Sequence, residues 1–134
     1  MKVFIDSNVP MYVAGTAHAH CVPARRFLER VRRGDLEACT STEVLQEILY
    51  RYSALGRRDL ARQVYDLFVE ICPDVLDVTL ADTDRARDLL GEIEPISARD
   101  AVHAGVMLNH SLEWVASFDQ GFDHVPGIRR LELG

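Results

Sequence analysis

Aspartates that follow apolar segments are the residues of this sequence best suited to chemistry. Asp6 ends the run "KVFID", and Asp119 ends the run "EWVASFD". Asp100 lies near the start of the small-residue segment "ISARDAVHAGVMLNH". Ligands of an open parallel sheet bind outside the carboxyl ends of its strands, because loops and helix N-termini converge there. If both runs are parallel strands, these three carboxylates meet at one edge of the sheet.

A cluster of carboxylates at that edge would need a cation. Facing carboxylates raise one another's pKa and destabilise a fold unless a cation shares the site. Oxygen-only ligands suit Mg²⁺ or Mn²⁺, whose coordination shells leave room for water and phosphate oxygens. Such an ion polarises a phosphate oxygen and lowers the pKa of a water molecule. The acids therefore favour phosphoryl transfer or phosphodiester hydrolysis.

Each of these acids also has a structural use that the residues leave open. Asp6 can cap the helix that follows it, and Asp119 can form an Asx turn in "DQGFD". Ser97 and Asp100 match an S-x-x-D capping box, which does not exclude a second role for Asp100.

A helical segment in the first half of the chain adds Glu43 and Glu47, which lie one turn apart. Helix periodicity alone predicts that both are solvated, with Glu47 able to pair with Arg51 four residues later. His103 lies one turn after Asp100 and can orient it, although packing within the helix is the commoner use of such a histidine.

The apolar pattern predicts strands that alternate with helices. Strands are expected at "KVFID", "DLEACT", "DVLDVT", "EWVASFD" and, as a short last strand, "GIRRLEL". Helices are expected at "SNVPMYVAG", "ARRFLERVRRG", "TSTEVLQEILYRYSALG", "RRDLARQVYDLFVEIC", "ADTDRARDLLGEI" and "ISARDAVHAGVMLNH". This alternation predicts an α/β fold, a three-layer sandwich whose mostly parallel sheet of four to five strands is flanked by helices.

Three features of the helices are specific enough to check. The third helix carries an apolar stripe made of Val44, Leu45, Ile48, Leu49, Tyr52 and Leu55. Asp82 stands where a residue can cap the fifth helix. In the sixth helix, Ala101, Ala104 and Gly105 would allow close packing on the sheet.

Composition limits the remaining function classes. The chain has 134 residues, enough for one domain over 1–134, and no apolar run of membrane-spanning length or signal-peptide pattern, so a cytoplasmic location is expected. The three cysteines lack disulfide or zinc spacing and are expected to be reduced and mostly buried. A net charge of -6 argues against a nucleic-acid partner, unless cations bound by clustered acids restore a positive field.

Several competing sites lack a residue that they need. The sole lysine, Lys2, excludes a phosphate-binding P-loop and weakens a response-regulator receiver. A phosphatase of the haloacid dehalogenase type asks for a second aspartate where this chain has Asn8. The histidines have no HExxH spacing, and no serine has an obvious base partner.

Four acidic stretches resemble the motifs of a known family in their order and approximate spacing. They are "FIDSN", "STEVLQEILYRY", "ARDAVHAGVML" and "VASFDQGFDHVPGI", and together they resemble the PIN-domain family over nearly the whole chain. The compact size is similar to that of the VapC-type toxins of toxin-antitoxin pairs. The resemblance implies a Mg²⁺- or Mn²⁺-dependent endoribonuclease that acts on RNA, forms a homodimer and is held inactive by an antitoxin.

The same resemblance implies a set of site residues. The acidic quartet is Asp6, Glu47, Asp100 and Asp119, with Asp123 as an auxiliary metal ligand. Asp6 and Asp100 would hold the principal ion, and the other two acids would position it, a second ion or the attacking water. Glu47 is preferred to Glu43 because the family places its glutamate just before an apolar pair.

Other residues are expected to assist this quartet. The hydroxyl or amide groups of Ser7, Asn8 and Ser117 can support the site by hydrogen bonding. Five arginines could hold RNA phosphates, although solvated helix faces explain them equally: Arg25, Arg26, Arg57, Arg58 and Arg99. The alternative function is a PIN-like module that binds RNA or protein without catalysis.

Overall fold

A sheet of five parallel strands forms the centre of the protein, in a computed structural model that describes residues 1–15 and 18–133. The strands are β1 (Lys2–Ile5), β2 (Glu37–Ser41), β3 (Val75–Leu76), β4 (Trp114–Ala116) and β5 (Arg129–Arg130). Their order is β3-β2-β1-β4-β5, and all four pairings are parallel. The carboxyl ends of β1 and β4 are therefore neighbours at one edge of the sheet.

Over residues 1–15 and 18–133, six α-helices flank the sheet. They are α1 (Asn8–Ala14), α2 (Cys21–Arg32), α3 (Thr42–Ala54), α4 (Arg58–Ile71), α5 (Leu80–Glu92) and α6 (Ala98–Asn109), and a 3₁₀ helix spans Gln120–His124. Helix α5 packs on α6, and α1, α2 and α3 each contact α4. The predicted α/β class, with a parallel sheet flanked by helices, is confirmed.

After Lys2, the central strand β1 is apolar, because helices cover both faces of the sheet. Val3, Phe4 and Ile5 are fully buried, and burial of each side chain contributes about 1.5–3 kcal/mol relative to exposure. At its carboxyl end, the Thr40 hydroxyl of β2 donates to the carbonyl oxygen of Ile5 at 2.9 Å. The backbone N–H of Asp6 then donates to the carbonyl of Ala116 at 3.0 Å, so the ladder with β4 fixes the position of Asp6.

Gly105 of α6 packs closely against helix α5, whereas the sequence predicted close packing on the sheet. A Cβ atom at Gly105 would lie 2.6 Å from the carbonyl oxygen of Asp82 in α5. Ala101 and Ala104 are fully buried. The absent side chain of Gly105 therefore sets the distance between α5 and α6.

Two other helix expectations are wrong in detail. Thr79, and not Asp82, caps α5, and Asp82 completes a capping box as the third helical residue. Leu49 and Leu55 are 42% and 67% exposed, because Leu49 lies beside the buried arc of α3 and Leu55 follows the end of that helix.

The cysteines are free thiols, as the sequence predicts. All three cysteines are free, and Cys39 and Cys72 are buried. Burial raises the pKa of Cys39 to about 11 and that of Cys72 to about 12, which makes both thiols unreactive. Within the described residues, every helix is too short or too polar to cross a bilayer.

Candidate active site

A cleft of about 590 Å³ opens at the carboxyl edge of the sheet. It is lined by the four acids of the predicted quartet, Asp6, Glu47, Asp100 and Asp119. Each comes from a different element: the end of β1, the middle of α3, the first turn of α6 and the segment after β4. Parallel pairing of β1 with β4 brings residues more than a hundred positions apart to the same wall.

Both carboxylate oxygens of Asp6 are held by neighbouring donors. The backbone N–H of Ser7 donates to Oδ1 at 2.7 Å, and the Ser117 hydroxyl donates to Oδ2 at 2.7 Å. Asp6 is only 4% exposed, and burial raises its pKa despite the opposing influence of His103 and Ser117. Asp6 therefore has a fixed orientation and a charge that burial disfavours.

Glu47 is buried and accepts hydrogen bonds from two other elements. The Ser7 hydroxyl donates to Oε2 at 2.6 Å, and His103 Nε2 lies 3.0 Å from Oε1. Burial alone would raise the pKa of Glu47, but these partners, together with Arg99 at 3.6 Å, lower it. The periodicity-based expectation of a solvated Glu47 paired with Arg51 is wrong. Glu43 is half-buried and lines the same cleft.

His103 is a site residue that the sequence indicated only weakly. Its ring is fully buried, with Nε2 3.0 Å from Glu47 Oε1 and 3.5 Å from Asp6 Oδ1. Its Nδ1 atom has no hydrogen-bond partner among the residues that the structure describes. Burial alone would lower the pKa of His103, but Glu47, Asp6 and Asp100 raise it. Its spacing of one turn from Asp100 was the available signal, but its hydrogen bond is to Glu47.

Asp100 and Asp119 form the outer part of the acidic cluster. The backbone N–H of Asp100 donates to the Ser97 hydroxyl at 3.1 Å, and Asp119 accepts from the Gly121 N–H at 2.9 Å in the expected Asx turn. Burial, a hydrogen bond with Asp119 and the charge of Asp6 raise the pKa of Asp100 to about 8. That same hydrogen bond lowers the pKa of Asp119, so the two acids share a proton.

Gly121 keeps space open between these two acids. A Cβ atom there would lie 3.2 Å from Asp100 Oδ2 and 3.2 Å from Asp119 Oδ1. A larger residue would intrude on the carboxylate oxygens at the point where they face each other.

Ser117 and Asn8 connect the separate acids. The Ser117 hydroxyl, which donates to Asp6, accepts from the Asn8 amide at 3.1 Å and from the Asp119 N–H at 3.0 Å. Asn8 Oδ1 accepts from the Phe118 N–H at 3.4 Å. A single network therefore fixes the positions of Asp6 and Asp119 relative to each other.

Some of the predicted residues lie outside the cleft. Asp123 is exposed and forms a bidentate pair with Arg130 at 2.8 and 2.9 Å. Of the five predicted arginines, Arg99 lines the cleft, whereas the other four are exposed elsewhere: Arg25, Arg26, Arg57 and Arg58. Arg51 also lines the cleft, and its helical spacing from Glu47 was the only sequence signal for it.

Comparison with known proteins identifies the family. A family model described as PIN domain matches residues 3–128. The chain belongs to the PIN-domain family. The VapC ribonuclease Mb1869c of Mycobacterium bovis and ribonuclease VapC13 of Mycobacterium tuberculosis are PIN-like relatives, each 42% identical over 129 residues, which cover 96% of this chain and 98% of theirs. The family prediction is confirmed.

Solved structures share the PIN fold. A chain of the VapBC2 complex of Rickettsia felis, bound to a promoter DNA fragment, matches with a TM-score of 0.77 at 18% identity, over 98% of both chains. VapC20 of Mycobacterium tuberculosis, described as a toxin that cleaves the sarcin-ricin loop, matches with a TM-score of 0.74 at 19% identity. That match covers 90% of this chain and 92% of VapC20.

The donor groups of this PIN domain fit a hard divalent cation. Asp6, Asp100 and Asp119 offer carboxylate oxygens. Burial, the hydrogen bond with Asp119 and the charge of Asp6 raise the pKa of Asp100, and a cation would offset all three effects. Atoms of Asp6, Glu47 and His103 also lie within 4.8 Å of one another. Glu47 and His103 already contact each other, which leaves the outer acids freer to bind an ion.

Proposed function

We propose that the protein is a metal-dependent endoribonuclease of the VapC type, in which residues 1–134 form one nuclease domain. The observation that carries the proposal is the convergence of Asp6, Glu47, Asp100 and Asp119 on one cleft. The ribonuclease names of the relatives that are 42% identical support RNA as the substrate.

In this proposal, Asp6 and Asp100 hold Mg²⁺ or Mn²⁺, and Asp119 completes the ligand set. The ion would supply Lewis-acid activation of the phosphodiester and a water molecule of lowered pKa. Its positive charge would also allow Asp100 to ionise near neutral pH, where its pKa of about 8 otherwise keeps much of it protonated.

The other residues of the site orient these ligands. Ser7 and Ser117 fix the Asp6 carboxylate, and Ser117 with Asn8 ties it to the segment that carries Asp119. Glu47 is kept ionised by His103 and Arg99, so it can accept a proton from a water or position that water. Arg51 and Arg99 line the cleft and can bind the phosphates on either side of the cleaved bond.

The same proposal includes two protein partners, which are an antitoxin and a second copy of this chain. Structures of similar fold are VapBC complexes, which supports a cognate antitoxin that keeps this chain inactive. A homodimer and a cytoplasmic location, in which the chain would meet its RNA, complete the proposal.

The proposal is tested by RNA cleavage with purified variants. We expect wild-type protein to cleave single-stranded RNA when Mn²⁺ is supplied and to stop when the ion is chelated. Asp6→Asn should fold normally and lose at least about a hundredfold in rate, since it removes a ligand charge at the centre of the site. Asp66→Asn, an exposed aspartate of α4, is the matched control and should cleave at the wild-type rate.

The outcomes separate catalysis from binding alone. Equal cleavage by Asp6→Asn and the wild type would show that the carboxylate cluster is not the catalytic site. RNA binding without cleavage at any Mn²⁺ concentration would favour a non-catalytic PIN-like module.

A further inference from the structure

Four aromatic rings form a surface cluster beside the carboxylate cleft, which we call the aromatic rim: Tyr12, His18, His20 and Phe118. The His20 and Phe118 rings are stacked, with centroids 4.1 Å apart and an interplanar angle of 17°. The centroid of the Tyr12 ring lies 4.7 Å from that of His18, 5.0 Å from that of His20 and 5.2 Å from that of Phe118. His18 is exposed and the other three are half-buried, so the cluster presents ring surface to solvent.

The residues of the aromatic rim are linked to active-site residues by the chain and by a hydrogen bond. Phe118 lies between Ser117 and Asp119 in the chain, and its N–H donates to Asn8. Tyr12 follows Asn8 by one turn of α1, on the same helix face. The rim therefore has a fixed position relative to Asp6 and Asp119.

A second cavity continues the cleft toward the rim. It has a volume of about 340 Å³ and is lined by Tyr12 and His18. It shares Asn8, Met11 and Arg51 with the carboxylate cleft. A chain that lies across the acids can therefore pass Arg51 and reach Tyr12 and His18, the two rim residues that line this cavity.

The two histidines of the rim extend a ring surface that begins at the hydrophobic core. Tyr12 and Phe118 pack against the hydrophobic core on one side, which accounts for their own positions. His20 stacks on Phe118, and the exposed His18 packs on Tyr12 while its Nδ1 accepts from the His20 N–H at 3.0 Å. Side-by-side rings at a surface suit a planar partner that can stack on them, and nucleobases are such partners.

We propose that the aromatic rim is a stacking site for an unpaired base of the RNA substrate, next to the phosphodiester that lies at the acids. The inference rests on the proposed ribonuclease function and narrows its substrate class. Base faces are covered in duplex RNA and accessible in single strands and loops, so the rim selects single-stranded or loop RNA. Arg51, between the two cavities, binds the intervening phosphate.

The test measures binding separately from cleavage. In an Asp100→Asn background, which prevents cleavage, the probe is a fluorescein-labelled single-stranded RNA of mixed sequence, and the same strand annealed to its complement. Replacing both histidines by alanine (His18→Ala with His20→Ala) should weaken single-strand binding by roughly tenfold, as expected for the loss of base stacking. Duplex binding should change by less than about twofold, because it depends on phosphate contacts.

Two matched variants separate stacking from general damage. Replacing both histidines by phenylalanine keeps the rings and should retain single-strand affinity. His110→Ala changes a histidine at the far end of α6, about 15 Å along the helix from Asp100, and should bind like the parent. With Asp100 intact, the double alanine variant should show a KM raised roughly tenfold and an unchanged kcat.

Each contrary outcome has a definite meaning. Unchanged single-strand affinity in the double alanine variant, or an equal loss on single-stranded and duplex RNA, would overturn the stacking site while leaving the ribonuclease proposal intact. Unchanged RNA affinity with an altered mass in size-exclusion chromatography would identify the rim as a protein contact. If wild-type protein neither binds nor cleaves RNA, the proposed function and the stacking site both fail.

Discussion

At the residue scale, the ionisation of Asp100 depends strongly on its neighbours. Asp100 and Asp119 share one proton, and the pKa of about 8 describes the loss of that last proton from the pair. Because the folded-state pKa is raised, the stability that Asp100 contributes is present below about pH 4 and lost as the pH rises through 8. A bound cation would restore that stability.

The burial of Asp100 beside two other acids predicts an unusual effect of Asp100→Asn. In metal-free protein at pH 8, the variant should melt about 2–6 °C higher than the wild type, because its side chain cannot ionise in the buried site beside Asp6. Added Mn²⁺ should raise the melting temperature of the wild type and have little effect on the variant. Melting curves at pH 5 and pH 8 measure both effects, with Asp66→Asn as the control. Equal stabilisation of wild type and variant by Mn²⁺ would rule out Asp100 as a ligand.

The two glutamates of α3 should differ in their effect on folding. In Glu47→Gln, the buried groups Ser7 and His103 face a neutral amide in place of a carboxylate. We therefore expect the free energy of unfolding to fall by about 1–3 kcal/mol. Glu43→Gln, in the same helix and the same cleft, should change it by less than about 0.5 kcal/mol. Urea unfolding of the pair measures the difference. Similar losses would mean that the hydrogen bonds of Glu47 to Ser7 and His103 contribute nothing measurable.

These residues mark how far the sequence alone can predict the site. The convergence of Asp6, Asp100 and Asp119 was predictable, because parallel strands place their carboxyl ends on one edge. The burial of Glu47 was not, because its partners Ser7 and His103 come from elements distant in the chain. Helix periodicity reports only the spacing within α3.

At the element scale, the contact between α5 and α6 depends on one missing side chain. Gly105→Ala would place a methyl group 2.6 Å from the Asp82 carbonyl oxygen, and backbone atoms cannot rotate away. We expect the free energy of unfolding to fall by about 1–3 kcal/mol. Gly91→Ala in α5 meets open space and should stabilise the protein by up to about 1 kcal/mol through helix propensity. Thermal unfolding compares the two, and a neutral Gly105→Ala would show that the helices can separate freely.

The element boundaries show the same limit. Every predicted strand and helix is present in the described residues, and the structure shortens "DVLDVT" to the two residues of β3. The sequence predicts that Gly105 packs closely, but it predicts the sheet as the neighbour, whereas the neighbour is α5. Small residues report that something approaches closely, whereas the identity of the neighbour depends on the tertiary fold.

At the scale of the whole molecule, the distribution of charge matters more than its sum. The net charge is -6, yet Arg51 and Arg99 lie at the cleft beside the acids. The sequence could count the arginines but could not locate them. Four of the five arginines predicted to contact RNA are exposed but do not line the cleft, because helix faces that look equivalent in sequence point in different directions in the fold.

In contrast to the polar cleft, an apolar cavity of about 310 Å³ lies between α1, α2 and α4. Leu67 lines this cavity and is 57% exposed, so a partner that filled the cavity would also cover Leu67. If the proposed antitoxin covers this cavity, Leu67→Glu should abolish co-purification of the antitoxin, because a carboxylate would be desolvated without a partner. Leu80→Glu, at a 76% exposed leucine of α5, should co-purify normally. Retention of the antitoxin by Leu67→Glu would place its binding surface elsewhere on the molecule.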